Sequence, residues 1–213
     1  MARYIGKICK RSRRIGSDLG LKSRSGKDIS NKCKLNVFPG QHGVKKRKQS
    51  NYSLQLTAKQ MLKYMYGILE RQFKNYYKKA SKSKMITGNV LLELLESRLD
   101  NVVYRMGFSS TRAEARQLIK HKSIILKCYK TKKEMIISVP SYKVSPGDII
   151  KICDRSKIQL RIRSSLNYMK NIGFVDWVDV DVNSFCGTFK RLPDRDNLPS
   201  EINEQMVVEL YSK

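Results

Sequence analysis

Residues 89–127 read NVLLELLESRLDNVVYRMGFSSTRAEARQLIKHKSIILK, and their periodicity decides the fold. Leu91, Leu92, Leu95, Leu99, Val102, Val103 and Met106 recur at helical spacing, which predicts one amphipathic helix, with Gly107 at the left-handed position that ends it. Thr111-Arg112-Ala113-Glu114 then matches a capping box, and Ala115, Leu118 and Ile119 supply the buried side of a second helix. Its outer side carries Arg112, Arg116 and Lys120. At 1.5 Å rise per residue these stand about 6 Å apart, comparable to successive phosphates. An ordinary solvated helix face would read the same way.

Beyond Ser123 the period changes. Ile124-Ile125-Leu126, Met135 to Val139 and Asp148 to Ile152 read as strands, the first two joined by a Lys-rich hairpin from Tyr129 to Lys133. Ser145-Pro146-Gly147-Asp148 has Pro and Gly in the order a type II turn requires, so Val144 ends one strand and Ile149 begins the next. Two helices on a small antiparallel sheet make an α+β module of roughly 65 residues.

Upstream, Met61, Met65, Leu69, Phe73, Tyr76 and Ala80 predict one long helix, or two broken near Gly67, with Thr57 as N-cap. Lys59, Lys63, Arg71, Lys74 and Lys78 form the opposite, basic face. From Met1 to about Ser53 no period is sustained, and Gly, Ser, Lys and Arg abound, which argues for loops that order over a polyanion. The C-terminal stretch, with Pro193, Pro199 and Val207-Val208-Glu209-Leu210-Tyr211, reads as mixed loop and short regular structure.

Charge narrows the function. The 213 residues hold 44 Lys and Arg against 18 Asp and Glu, a formal net charge of +26. Self-repulsion at this density favours a polyanionic partner, either nucleic acid or an anionic membrane surface. Residues 1–90 hold 23 basic side chains against 3 acids, 91–170 hold 17 against 7, and 171–213 reverse to 4 against 8. The nucleic-acid footprint is therefore expected in the first 170 residues, and the acidic end faces a different partner. Lysine inflated by AT-rich coding explains part of the excess but not the change of sign. The opening residues lack a signal-peptide core, and no apolar run approaches the roughly 18–20 residues of a membrane span. A soluble, intracellular protein is expected. Cys9, Cys33, Cys128, Cys153 and Cys186 are odd in number and scattered, so reduced thiols are expected.

Catalysis finds little support. No Gly-rich phosphate loop is present, and neither His42 nor His121 sits beside a nucleophile. Asp179 and Asp181 alternate as on the wet edge of a strand. Cys9 and Cys33 offer two soft ligands where a closed tetrahedral zinc site wants four, so neither metal nor cofactor is expected.

Several ordered motifs together carry a family resemblance: Pro39-Gly40-Gln41-His42-Gly43; Tyr66-Gly67-Ile68-Leu69-Glu70-Arg71-Gln72-Phe73; Leu95 to Phe108; Thr111 to Leu118; Pro140-Ser141-Tyr142; and Ile202-Asn203-Glu204 through Lys213. Over nearly its whole length the chain resembles the small-subunit ribosomal protein four family of bacteria and organelles. The resemblance implies a basic arm (1–53), a helical domain (54–96) completed by the C-terminal part (163–213), and an inserted RNA-binding module (97–162). It also implies a protein of the cytoplasmic or organellar ribosome that binds the 5′ domain of small-subunit rRNA, nucleates its assembly and takes no small-molecule substrate.

Resemblance and charge together mark Arg3, Tyr4, Arg13, Arg14, Lys22, Gln41 and His42 as RNA-binding in the arm. They mark Arg71 and Tyr76 in the helical domain, and Arg98, Arg112, Arg116, Lys120 and His121 in the module. Lys45, Lys46 and Lys48 match positions lining the messenger channel, and Glu201, Glu204 and Glu209 lie on the surface that meets ribosomal protein five and influences decoding accuracy. Two departures stand out. Cys9 and Cys33 are all that remains of the four-cysteine knuckle of zinc-bearing members, and the hairpin at 128–134 exceeds the family's tight turn. Two other readings compete. An RNA-modifying enzyme carrying the same module would need a catalytic domain that the flanking segments are too short and unpatterned to form. General DNA or anionic-surface binding would show no preference for an RNA junction.

Overall fold

The computed structural model describes residues 4–22, 33–41, 43, 48 and 50–212. Along the chain run α1 (Ile8–Ile15), α2 (Asn51–Met65), α3 (Glu70–Ala80), α4 (Thr87–Glu96), α5 (Leu99–Arg105) and α6 (Arg112–Lys120). There follow β1 (Ile124–Lys127), β2 (Glu134–Ile136), β3 (Ile149–Ile152), α7 (Asp154–Lys157), α8 (Leu160–Ile172), β4 (Val178–Asp181), β5 (Cys186–Phe189) and α9 (Glu204–Ser212). The expected α+β class is observed. Among the described residues no helix is long and apolar enough to cross a membrane.

The chain divides into two compact units, Met1–Leu91 with Pro199–Lys213, and Leu92–Leu198. In the first, α2 starts six residues earlier than Thr57. Its cap is Ser50, whose hydroxyl accepts the Ser53 N–H at 3.3 Å, whereas Thr57 donates back to the Ser53 carbonyl inside the helix. The first turn is largely exposed, so it carries no apolar period from which to read it. A break after Met65 separates α2 from α3, the two-helix form of the expectation. Leu62, Phe73, Ala80, Leu91 and Val207 are buried, and α9 packs against α2.

The second unit corrects the prediction of one continuous helix from Leu91 to Met106. α4 and α5 are separated at Ser97–Arg98, where Arg98 adopts extended backbone. The segment 140–144 supplies substitute partners: Leu99 and Asp100 donate to the carbonyls of Tyr142 and Pro140 at 2.8 and 3.0 Å, and Val144 donates to that of Ser97 at 2.8 Å. The apolar spacing runs on through the break, so it cannot reveal it. α5 ends as predicted: Gly107 has φ 80°, and Gly107 and Phe108 donate to the carbonyls of Tyr104 and Val103, a Schellman ending. At this φ glycine escapes the steric penalty of a Cβ, which would also meet Met169 Cγ at 2.7 Å.

The sheet is antiparallel, with order β2-β1-β3-β5-β4. Its register sets Leu126 opposite Ile150, and Ile150 opposite Gly187. Ile124, Leu126, Ile150 and Ile152 are buried, while Ile125, Lys127, Ile149 and Lys151 alternate with them on the wetter face. The Ser145–Asp148 turn forms, with Gly147 at φ 90°. Strand β2 is shorter than Met135–Val139, and Val144 lies outside a strand; only an isolated bridge joins its neighbour Lys143 to Arg98. β4 carries the alternating Asp179 and Asp181 that read as a strand edge, whereas β5 and the 13-residue α8 have no counterpart in the sequence reading.

Candidate nucleic-acid interface

In the second unit, two buried acids organise the arginines. Asp100, 1% exposed, accepts from Arg98 Nε and Nη2 at 3.0 and 2.8 Å and from Arg116 Nε at 2.7 Å. Glu96, fully buried, accepts from Arg105 at 3.1 and 2.7 Å and from the Asn101 amide at 2.6 Å. Asn101 in turn accepts from Arg112 Nε at 2.8 Å, and the Arg112 guanidinium lies 4.4 Å from the Tyr104 ring centroid. A buried guanidinium must be paired and hydrogen-bonded to be tolerated, and the short α5 turn presents Asp100 and Asn101 for that purpose.

This geometry revises the outer line on α6. Arg112 is buried, Arg116 keeps about a quarter of its side chain exposed (26%), and Lys120 is exposed. Arg98 is buried as well. The capping box also differs in detail: Thr111 accepts the Glu114 N–H at 3.1 Å, but Glu114 reaches back to Ser110 N–H at 2.8 Å. At the end of α6, His121 and Lys122 are exposed. Lys122 takes a left-handed backbone, φ 57°, and with Ser123 closes the helix. Three exposed basic side chains, Lys120, His121 and Lys122, therefore gather at the helix C-terminus, where the peptide dipoles favour cations.

The first unit uses its cations differently. Arg11, absent from the sequence-derived set, places its guanidinium 3.4 Å from the Tyr4 ring centroid and 4.3 Å from that of Tyr64. Arg11 has the same composition signal as its neighbours Arg13 and Arg14, and only the packing of Tyr4 and Tyr64 on it sets it apart. Arg13 donates to the carbonyls of Val37 and Phe38 at 2.9 and 3.1 Å, so it fastens a loop. Arg14, Lys22, Gln41, Arg71 and Lys48 are exposed and Tyr76 is half-buried. Arg3, His42, Lys45 and Lys46 lie outside the described residues.

Two expectations are corrected here. Cys9 and Cys33 are joined by a disulfide, with Cα atoms 5.8 Å apart, rather than held as thiols. The loop that Arg13 fastens begins just after Cys33. Lys59 and Lys63 do not belong to an open basic face: they are only 12% and 15% exposed and reach the Glu70 carboxylate at 2.8 and 2.9 Å. Tyr211 of α9 donates to the same carboxylate at 2.8 Å and stacks on Tyr77. Glu201 is exposed, Glu204 half-buried, and Glu209 accepts from the Gln55 amide at 3.0 Å.

The Glu70 cluster gives a pH prediction. Partial burial works to raise its pKa, but hydrogen bonds from Lys59, Lys63 and Tyr211 outweigh it and bring it from 4.5 down to about 2. A folded-state pKa below the unfolded one stabilises the fold fully above 4.5, and that contribution fades as pH falls towards 2. Glu70→Gln should therefore lower the urea midpoint modestly at pH 7, the site being partly exposed, and by only about a quarter as much near pH 2.5. Parallel urea titrations of both proteins across that range check it.

Among the described residues, no three potential metal ligands converge. Burial pushes the thiols of Cys153 and Cys186 upward, away from nucleophilic character. The exposed cations on α1, on α3 and at the end of α6 suit the arrangement to holding polyanions.

Comparison with known proteins agrees with this class. Residues 3–96 match the family described as ribosomal protein S4/S9 N-terminal domain, and residues 97–125 match the S4 domain. The fold and these matches define a ribosomal protein bearing an S4 domain. Proteins named small ribosomal subunit protein uS4 from Thioalkalivibrio sulfidiphilus, Hahella chejuensis and Neisseria meningitidis are 53%, 51% and 50% identical to it over 213 residues, covering 100% of both chains in each pair. The chain belongs to the small ribosomal subunit protein uS4 family.

Proposed function

We propose that this chain is a non-catalytic scaffold of the small ribosomal subunit in the cytoplasm, binding the 5′ domain of small-subunit rRNA and nucleating its folding. Its cations neutralise phosphates crowded at a helical junction, and counterions released on binding supply much of the affinity. The observation that carries this reading is the full-length identity to uS4 proteins, joined to the exposed cations on α1, on α3 and at the end of α6. Lys45, Lys46 and Lys48 line the messenger channel, and the acidic C-terminal region around Glu201, Glu204 and Glu209 meets ribosomal protein five. Glu201 and Glu209 support the last point best, because both are exposed, although Glu209 also accepts from the Gln55 amide.

Filter binding of the full chain to a 5′-domain transcript over a range of salt concentrations tests the mechanism. Each neutralised phosphate contributes about −0.7 to −0.9 to the slope of log affinity against log salt, so a footprint of six contacts gives about −4 to −5. A flat response, or equal affinity for duplex DNA, would overturn the proposal.

A further inference from the structure

In the second unit, α8 and the turn between β4 and β5 frame an open surface cavity of about 290 Å³ that the interface described above does not use. Arg163, Leu166, Asn167, Val182, Asn183 and Phe185 line it. Its volume is near the lower end for small-ligand sites, about 300 Å³. The lining combines a phenyl ring, a guanidinium, two amides and two aliphatic side chains. Asn167, Asn183 and Arg163 are exposed, and among the described residues neither side-chain amide has a protein hydrogen-bond partner, so all three face the solvent side of the cavity. Arg163 spends Nε on the Lys157 carbonyl at 2.9 Å, and its other guanidinium nitrogens have no intramolecular partner among the described residues.

Phe185 has φ 55°, a left-handed backbone that a bulky aromatic residue rarely adopts. Such conformations persist only where the surroundings over-determine them. Here Asp181 accepts from Asn183 N–H at 3.0 Å and from the Ser184 hydroxyl at 2.7 Å, and the Phe185 carbonyl accepts from Ile152 N–H at 3.2 Å. The turn is thereby pinned from within and from β3, and the ring is kept on the cavity wall.

The lining discriminates between ligands. A phosphate would want several cations or converging backbone N–H groups, whereas one arginine is present. A flat, uncharged heteroaromatic ring is served by a phenyl face and by amides and a guanidinium that reach its polar edge. We propose that this cavity holds one unstacked base of the bound RNA, lodged against Phe185 with Arg163, Asn167 and Asn183 at its edge. The proposal rests on the rRNA-binding reading for its source of bases, but the pocket can be tested apart from it.

Phe185→Gly is the informative variant, since glycine accepts the positive φ while the whole benzyl side chain is removed. Amide correlation spectra of the full chain should show AMP, GMP, CMP or UMP, at millimolar concentration, shifting the side-chain amides of Asn167 and Asn183, and the variant should lose those shifts. Its affinity for the 5′-domain transcript should fall about 10-fold, the order of one lost base stack. Unchanged Trp177 fluorescence confirms that the variant folds. Absent shifts in the parent protein, or a variant that binds the transcript as tightly as its parent, would overturn the pocket. A parent protein that ignores the transcript yet shows the shifts sinks the 5′-domain-binding reading and supports the pocket.

Discussion

Glu96→Ala is expected to lower the stability of the second unit by about 3–5 kcal/mol, the usual consequence of breaking a buried ion pair from one side. The side chain is fully buried and satisfies both Arg105 and Asn101. Its removal leaves a guanidinium only 14% exposed without its carboxylate, and leaves the Asn101 amide, which helps to orient Arg112, with only its 3.2 Å bond to the residue-96 backbone carbonyl from this partner. Water cannot reach the N–H donors left behind on Arg105 and Asn101 as readily as it reaches them in the unfolded chain, so the loss exceeds that of a surface pair. A built-in reporter exists: Trp177, the sole tryptophan, is buried, and Arg105 lies 5.4 Å from its ring centroid. Urea unfolding followed by tryptophan emission should show the midpoint lowered by about 2 M. Glu96→Gln, which keeps one acceptor, should lose less. An alanine variant within 1 kcal/mol of its parent would mean that the network is not the organiser of this unit.

That network is also where sequence reading stops. The helices of residues 87–120 were legible because Leu95, Leu99, Val102, Leu118 and Ile119 keep a 3.6-residue beat and because Thr111 and Gly107 mark ends with their own chemistry. The break at Ser97–Arg98 was not, since its cause lies forty residues away, in the carbonyls of Pro140 and Tyr142. β4 showed only as the alternation of Asp179 and Asp181 along a strand edge, and β5 was hidden for a related reason: its pairing with β4 and β3, not its composition, makes Cys186–Phe189 a strand. Among the candidate site residues, sequence identified the arginines but not which of them are spent internally. Arg98 and Arg112 carry the same charge as Lys120, and only the positions of Asp100 and Asn101 separate buried, paired side chains from exposed ones. The signal was present in Glu96, Asp100 and Asn101, polar residues standing within an otherwise apolar helical stripe. The fate of Cys9 and Cys33 depended on a loop closure that residue spacing does not report.

Asp100→Asn is expected to weaken binding to the 5′-domain transcript about 10-fold, although it removes a negative charge from a protein that binds a polyanion. Bulk electrostatics predicts the reverse: one acid fewer should tighten binding slightly and leave its salt dependence nearly unchanged. The geometry argues otherwise. One carboxylate holds Arg98 by two hydrogen bonds and Arg116 by a third, and Arg116 is the member of that group with a part-exposed guanidinium. An asparagine presents one acceptor oxygen in place of two and brings an N–H group towards a cation, so the two arginines cannot both be kept in register. Arg116 then spreads over several rotamers, and the ordering it loses must be restored each time RNA binds. The measurement is affinity at two salt concentrations, with Trp177 emission confirming that the variant is folded. Weaker binding with a preserved slope identifies Asp100 as a positioning residue. Tighter binding would show that charge alone, not the orientation of α6, governs this surface.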